Sequence, residues 1–237
     1  MDRLWLIALL VLWGVLLFGG FLFGHLDPER IRRMPAWTRM ASSLALVIAA
    51  WSAYIFARET EAGSYALLIA LGMSFGFIGD LLMARWLSLK NHVIGGIAAF
   101  GLGHIAYIAA LVSYGNQAGL DARAPRWGAL AVWLVAGVIG WYVVVLRNHK
   151  PTLLHRAALP YTLLLSSTAG FAAGLALQSS AFMPLALGAA LFLLSDLILA
   201  ARLFNNLRFY LIDDVVWLLY GPAQMLIVYS VGSALAA

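Results

Sequence analysis

Eight long apolar runs, joined by short polar connections, decide what this chain can fold into. They lie at about 4–24, 41–57, 64–84, 93–114, 127–146, 157–177, 181–200 and 210–235. A spanning helix needs about 20 predominantly apolar residues to cross the hydrocarbon of a bilayer. Most of these runs reach that length, and the connections carry Pro, Asn, Arg, Lys and Gln. None of the runs alternates apolar with polar residues, as the roughly ten-residue strands of a membrane β-barrel do. The predicted fold class is an all-α integral membrane protein. It is a bundle of about eight transmembrane helices in one polytopic domain over residues 1–237.

Composition narrows the function classes. Only 11% of the residues are charged, against about 25% in a typical soluble domain. That excludes an ordinary water-soluble globular protein, and the runs leave no room for a separate soluble domain. Cysteine is absent, which removes disulfides, a thiolate nucleophile and a cysteine metal site. The net charge of +5 is small, and in a membrane protein basic residues mainly report orientation. Nucleic acid is not an expected partner. Eleven of the fifteen Lys and Arg residues fall in the loops after runs one, three, five and seven. Those loops are therefore predicted to be cytoplasmic, with both termini on the outer or lumenal face. The source membrane is a bacterial inner membrane or the endoplasmic reticulum. The first run is longer than a typical signal h-region and no Ala-x-Ala site follows it, so it reads as a retained helix. Trp37, Trp86, Trp127 and Tyr210 near run ends suit an interfacial belt.

Two stretches of the chain resemble each other. Residues 77–85 read FIGDLLMAR, and residues 192–201 read FLLSDLILAA before Arg202. Each places an aspartate after a small residue, about one turn inside the predicted cytoplasmic end of a run. Asp80 and Asp196 are 116 residues and four runs apart. An even number of crossings points both copies the same way, as in a parallel four-plus-four repeat about an axis along the membrane normal. A polar residue follows each aspartate by 24 positions, His104 in one half and Tyr220 in the other. Such a repeat puts both aspartates at one depth, facing each other across the axis.

Carboxyl groups inside spanning helices cost a few kcal/mol on insertion scales and mark functional sites by default. The plainer reading pairs Asp80 with Arg85 and Asp196 with Arg202 one turn on. Two facing carboxyls in a low-dielectric site have a definite use: one holds a proton and serves as general acid, and the other serves as base or cation stabiliser. His104 lies well inside a run, between small residues that allow close helix approach, with Tyr107 one turn on. His25, His92, His149 and His155 sit at loops or run ends and are expected to face water or headgroups. Too few deep histidines remain for a zinc site. Tyr220 and Gln224 share a helix face, and a Gln within a span packs inward to find a partner. Asp213 and Asp214 open the last run, where acidic residues stabilise the helix dipole. Ser195 and the pair Ser166 and Ser167 can bond their own helices, and no Gly-x-Ser-x-Gly elbow supports serine hydrolysis.

Four blocks in order resemble a known family. They are Gly79-Asp80-Leu81-Leu82, then Phe100-x-x-Gly103-His104-x-x-Tyr107, then Gly188 to Asp196, then Tyr220-x-x-x-Gln224. Their order and spacing are similar to those of the YhhN family of lysoplasmalogenases, from about residue 40 to the C-terminus. The first run, the Asp213-Asp214 pair and Pro222 lie outside that pattern. The resemblance implies a hydrolase that cleaves the vinyl ether of a lysoplasmalogen to a fatty aldehyde and glycerophosphoethanolamine or glycerophosphocholine. It implies no metal and no organic cofactor. The partners would be a lysophospholipid substrate drawn from the bilayer and the membrane lipids, with no protein partner. Asp80 and Asp196 would then be catalytic, and His104, Tyr107, Ser195, Tyr220 and Gln224 would bind substrate or support the pair. Arg85 and Arg202 could meet the phosphate. A proton-coupled small-molecule or lipid transporter using the same aspartates is the competing reading. No matched pair of Pro-broken runs favours it, since Pro160 and Pro222 occupy different places in the two halves.

Overall fold

The computed structural model describes residues 2–147 and 150–236. They form eight helices: α1 (Asp2–Phe23), α2 (Ala36–Ala57), α3 (Gly63–Met83), α4 (His92–Gln117), α5 (Arg123–Trp141), α6 (Leu153–Ala176), α7 (Met183–Asn205) and α8 (Ile212–Ala236). A single π-turn, Tyr142–Leu146, extends α5. All eight are long and apolar enough to cross a membrane, and the described residues contain no strand. In a bilayer every backbone N–H and C=O must be paired internally, and a helix does this within one segment.

The helices overrun the apolar runs wherever a polar residue can follow the same backbone. The α2 helix begins at Ala36, beside an extended Pro35, so Arg39 stands on the helix and not in the loop. The α7 helix continues to Asn205. Asp196 is therefore nine residues from the end of its helix, not the single turn expected, whereas α3 ends three residues after Asp80. Pro160 and Pro222 lie inside unbroken helices. Trp37, Trp86, Trp127 and Tyr210 are all exposed.

The packing neighbours repeat in the two halves. Within each half consecutive helices pack together, α1 to α4 and α5 to α8. Between the halves, α4 lies on α6 and α8 lies on α2. Exchange of the halves converts one of these contacts into the other. Two glycines 116 residues apart carry the correspondence into the packing. A Cβ on Gly72 would enter the Tyr107 ring of α4. A Cβ on Gly188 would lie 2.8 Å from Leu226 and 2.9 Å from the carbonyl of Ala223, both on α8. Ala223 follows Tyr107 by the same 116 positions. Small residues let helix backbones approach closely where no hydrophobic drive acts between them.

A polar latch closes the end of the bundle where α2 and α8 begin. Asp214 is fully buried. Its carboxylate accepts the backbone N–H of Arg33 at 2.5 Å and of Met34 at 3.0 Å. The backbone N–H groups of Leu211 and Asp213 donate to the carbonyls of Arg30 and Ile31, each at 3.0 Å. Asp214 thus does more than face a helix dipole: it ties the α1–α2 loop to the start of α8. Loss of both acceptors leaves two N–H groups unpaired, at about 1–3 kcal/mol each when they stay dry. Asp214→Ala is expected to lower the melting temperature in detergent and to open the chain to trypsin at Arg30, Arg32 and Arg33. Unchanged cleavage kinetics would show that the loop is held by something else.

Candidate active site

Helix α3 ends at the same face of the bundle as α7, and both carry their aspartate into one cavity of about 440 Å³. Asp80, Asp196 and Tyr220 line it, together with Phe100, Trp217 and the guanidinium-bearing side chains of Arg32, Arg39, Arg85 and Arg202. The cavity lies at the end of the bundle that holds the α1–α2, α3–α4 and α7–α8 loops.

Each aspartate is held by a hydroxyl from the helix that precedes its own. Asp80 is 4% exposed, and Ser43 of α2 donates to its Oδ2 at 2.5 Å. Tyr161 of α6 donates to Oδ2 of Asp196. Ser195 gives its hydrogen bond to the Phe192 carbonyl at 2.9 Å and lies 3.3 Å from Oδ1 of Asp196. Among the described residues neither aspartate has an ion-pair partner. The arginine pairs of the plainer reading do not form. Arg202 reaches Asp213 instead, and Arg85 donates to His92 Nε2 at 3.4 Å. Two carboxyls with hydroxyl donors and no counter-ion retain acid–base capacity that an ion pair would have quenched.

A chain of buried hydrogen bonds stands behind Asp80. The Tyr107 hydroxyl donates to Gln224 Oε1 at 3.0 Å. Gln224 Nε2 donates to the Tyr220 oxygen, also at 3.0 Å. Tyr220 and Asp80 line the same cavity. Since Gln224 donates to the Tyr220 oxygen, the tyrosine's own hydrogen is left for an acceptor in that cavity. Pro222 leaves Tyr220 and Gln224 on one face of α8. Tyr107 and Gln224 thus reach the cavity through Tyr220 and do not line it.

His104 stands apart. It is buried, its Nδ1 lies 3.0 Å from Thr168 Oγ1 of α6, and its ring meets Phe192 edge-on with centroids 4.7 Å apart. It does not line the cavity and touches the site through the Tyr161 ring, 6.0 Å away. His155 is also not where its position in the sequence suggested. It is 8% exposed and its side chain joins Thr152 in capping α6. His149 lies outside the described residues. No group of three or more His, Asp or Glu side chains gathers among the described residues where a metal could sit.

Sequence reading missed Ser43, Tyr161, Arg39 and Trp217. Ser43 and Tyr161 are polar residues within or at the edge of apolar runs, and each signal was present but unread. In the sequence Arg39 reads only as a topology marker. Its guanidinium lies over the Trp217 ring, 5.4 Å from the centroid, and its Nε is buried without a partner among the described residues.

Gln224→Leu should cost stability by breaking its interhelical bond with Tyr107 of α4 together with its bond to Tyr220 one turn back on α8. Interhelical bonds of the first kind average about 0.6 kcal/mol in membrane bundles and reach about 1.7. The melting temperature should fall further than for Tyr107→Phe, which breaks one bond, and an equal fall would show that the two bonds are not coupled through Gln224.

Comparison with curated proteins and with solved structures returns no match. A family model does match, over residues 34–231. That span contains Asp80, Asp196, their hydroxyl donors and the whole Tyr107–Gln224–Tyr220 chain, and on its strength the protein belongs to the YhhN family.

Proposed function

We propose that this chain is a membrane-embedded lysoplasmalogenase that hydrolyses the vinyl ether of a single-chain phospholipid taken from the bilayer. The known activity of its family is lysoplasmalogenase. One observation carries the reading to these residues: two aspartates from corresponding helices line one cavity with no ion-pair partner among the described residues, and arginines line the same cavity.

A vinyl ether hydrolyses through protonation of its β-carbon, which leaves an oxocarbenium ion at the α-carbon. One aspartate supplies that proton. The other stabilises the cation and takes a proton from the water that attacks the α-carbon. The resulting hemiacetal collapses to a fatty aldehyde and the glycerophospho-base. The scheme uses only side chains and water. Tyr220 and Ser43 orient Asp80, and Tyr161 and Ser195 orient Asp196. Arg39, already stacked on Trp217 and with a donor unused, is suited to the phosphate, as is Arg85. The positive-inside count supports a cytoplasmic position for this headgroup end.

The test is aldehyde release from a lysoplasmalogen by purified protein in detergent, with no ion gradient. Asp80→Asn and Asp196→Asn should each lose at least about a hundredfold in kcat, the lower range for a positioned proton-transfer group. Turnover that survives in either variant removes that aspartate from the reaction. Arg39→Gln should raise KM about tenfold, as loss of a charged hydrogen bond does, with a smaller change in kcat. A folded protein that releases no aldehyde, yet takes up lipid or solute into proteoliposomes when a proton gradient is imposed, would be a carrier.

A further inference from the structure

A narrow apolar slot of about 70 Å³ adjoins the polar cavity. Met83, Phe100, Leu199 and Asp196 line both spaces. The slot runs from this shared wall between the start of α4, the π-turn after α5, and the facing parts of α6 and α7. Apart from Asp196, the hydrogen-bonding side chains on its wall are engaged elsewhere. Tyr161 donates to Asp196, Thr162 donates to the Ala158 carbonyl at 2.8 Å, and Trp141 donates to the His155 carbonyl at 3.4 Å. What remains is hydrocarbon. Leu203, on the slot wall and on the last turn of α7, is 43% exposed, so the slot opens at the surface of the bundle.

We infer that the slot is the subsite for the first carbons of the substrate's single chain, and that Asp196 is the acid that protonates the alkenyl β-carbon. The assignment rests on the lysoplasmalogenase reading and deepens it. Continuity fixes the occupant: an anionic headgroup suits the arginine-lined cavity, a chain suits the slot, and the bond between them lies where the two spaces meet. In a vinyl ether the β-carbon is on the chain side of the α-carbon. Asp196 lines both spaces, whereas Asp80 lines only the polar one. The slot has room for about two or three methylene-sized groups, taking each as near the roughly 30 Å³ share of a water molecule. The rest of the chain leaves past Leu203 into the bilayer. The site therefore reads the shape of the first carbons and is indifferent to total chain length.

The proton ledger follows from the placement. The carboxylic acid of Asp196 gives its proton to the β-carbon as the C=C pair forms the new C–H bond. The carboxylate of Asp80 takes a proton from water as the water oxygen bonds to the α-carbon. In the collapse, Asp80 returns that proton to the glycerol oxygen as the C–O bond breaks, and Asp196 takes the hemiacetal hydroxyl proton. Both groups end as they began, with one water consumed.

Three measurements on the purified full chain in detergent test this. The first uses a lysophospholipid with a saturated ether chain and a diazirine on the third or fourth carbon. It cannot be cleaved, so labelling does not depend on turnover. Label is expected within residues 153–165 and 193–204, and label confined to other helices overturns the slot. Slot labelling without vinyl-ether turnover would instead retire the lysoplasmalogenase reading and keep the chain site. The second measurement is Ala158→Leu, which narrows the slot. KM should rise about tenfold, equally for short and long unbranched chains. An unchanged KM in folded protein, or an effect that grows with chain length, counts against the subsite. The third is rescue by formate, which is ionised at neutral pH and can accept the water proton but not supply the carbon-bound one. Asp80→Ala should regain at least about tenfold in turnover and Asp196→Ala should not. The reverse pattern exchanges the two roles.

Discussion

Two hydroxyl–carboxyl contacts, Ser43 to Asp80 and Tyr161 to Asp196, are the fixed points around which the site is arranged. A carboxyl taken out of water is costly unless a donor meets it. Here the donor comes each time from the helix just before the aspartate's own. That requirement ties α2 to α3 and α6 to α7, and it appears in the same place in both halves. The arginines within reach are used otherwise, on Asp213, His92 and the Trp217 ring. The aspartates are consequently satisfied without being neutralised.

The repeat is also broken at the site. Tyr220 and His104 hold equivalent positions in the sequence, yet they do different things. Tyr220 lines the cavity it shares with Asp80 of the other half, backed by Gln224 and Tyr107. His104 turns to Thr168 and leaves Asp196 to Tyr161. A symmetric pair would give two identical carboxyls. This pair faces two different environments, one polar and one at the edge of a hydrocarbon slot. Acid and base roles are divided by placing like groups in unlike surroundings.

The far side of the cavity depends on the α1–α2 loop, which Asp214 holds by two backbone hydrogen bonds. That latch places Arg32 and the first turn of α2 on the cavity wall, and with them Arg39. Helix α1, which the family match omits, is joined to the site by this loop and also packs on α2 and α8.

Much of this was legible in the residues alone. The eight helices follow from the apolar runs, because a bilayer leaves a polar backbone few alternatives. Asp80 and Asp196 stood out because a carboxyl in such a run is expensive, and their matched contexts and even spacing pointed to a common cavity. Helix ends were less legible: Arg39 and the last turns of α7 follow backbone hydrogen bonding, which does not stop where hydrophobicity does. Partners were legible least. Nothing in spacing separates a Ser43 that donates to Asp80 from a serine that bonds its own helix, or an Arg202 that seeks Asp196 from one that seeks Asp213. His104 and Tyr220 looked equivalent until the helices were packed. The bundle, its repeat and the two intramembrane acids of α3 and α7 can be read segment by segment, since burial of a backbone and of a charge are local costs each segment must meet. Which hydroxyl meets which acid, and which acid borders the slot, is settled by packing, because it depends on side chains brought together from different helices.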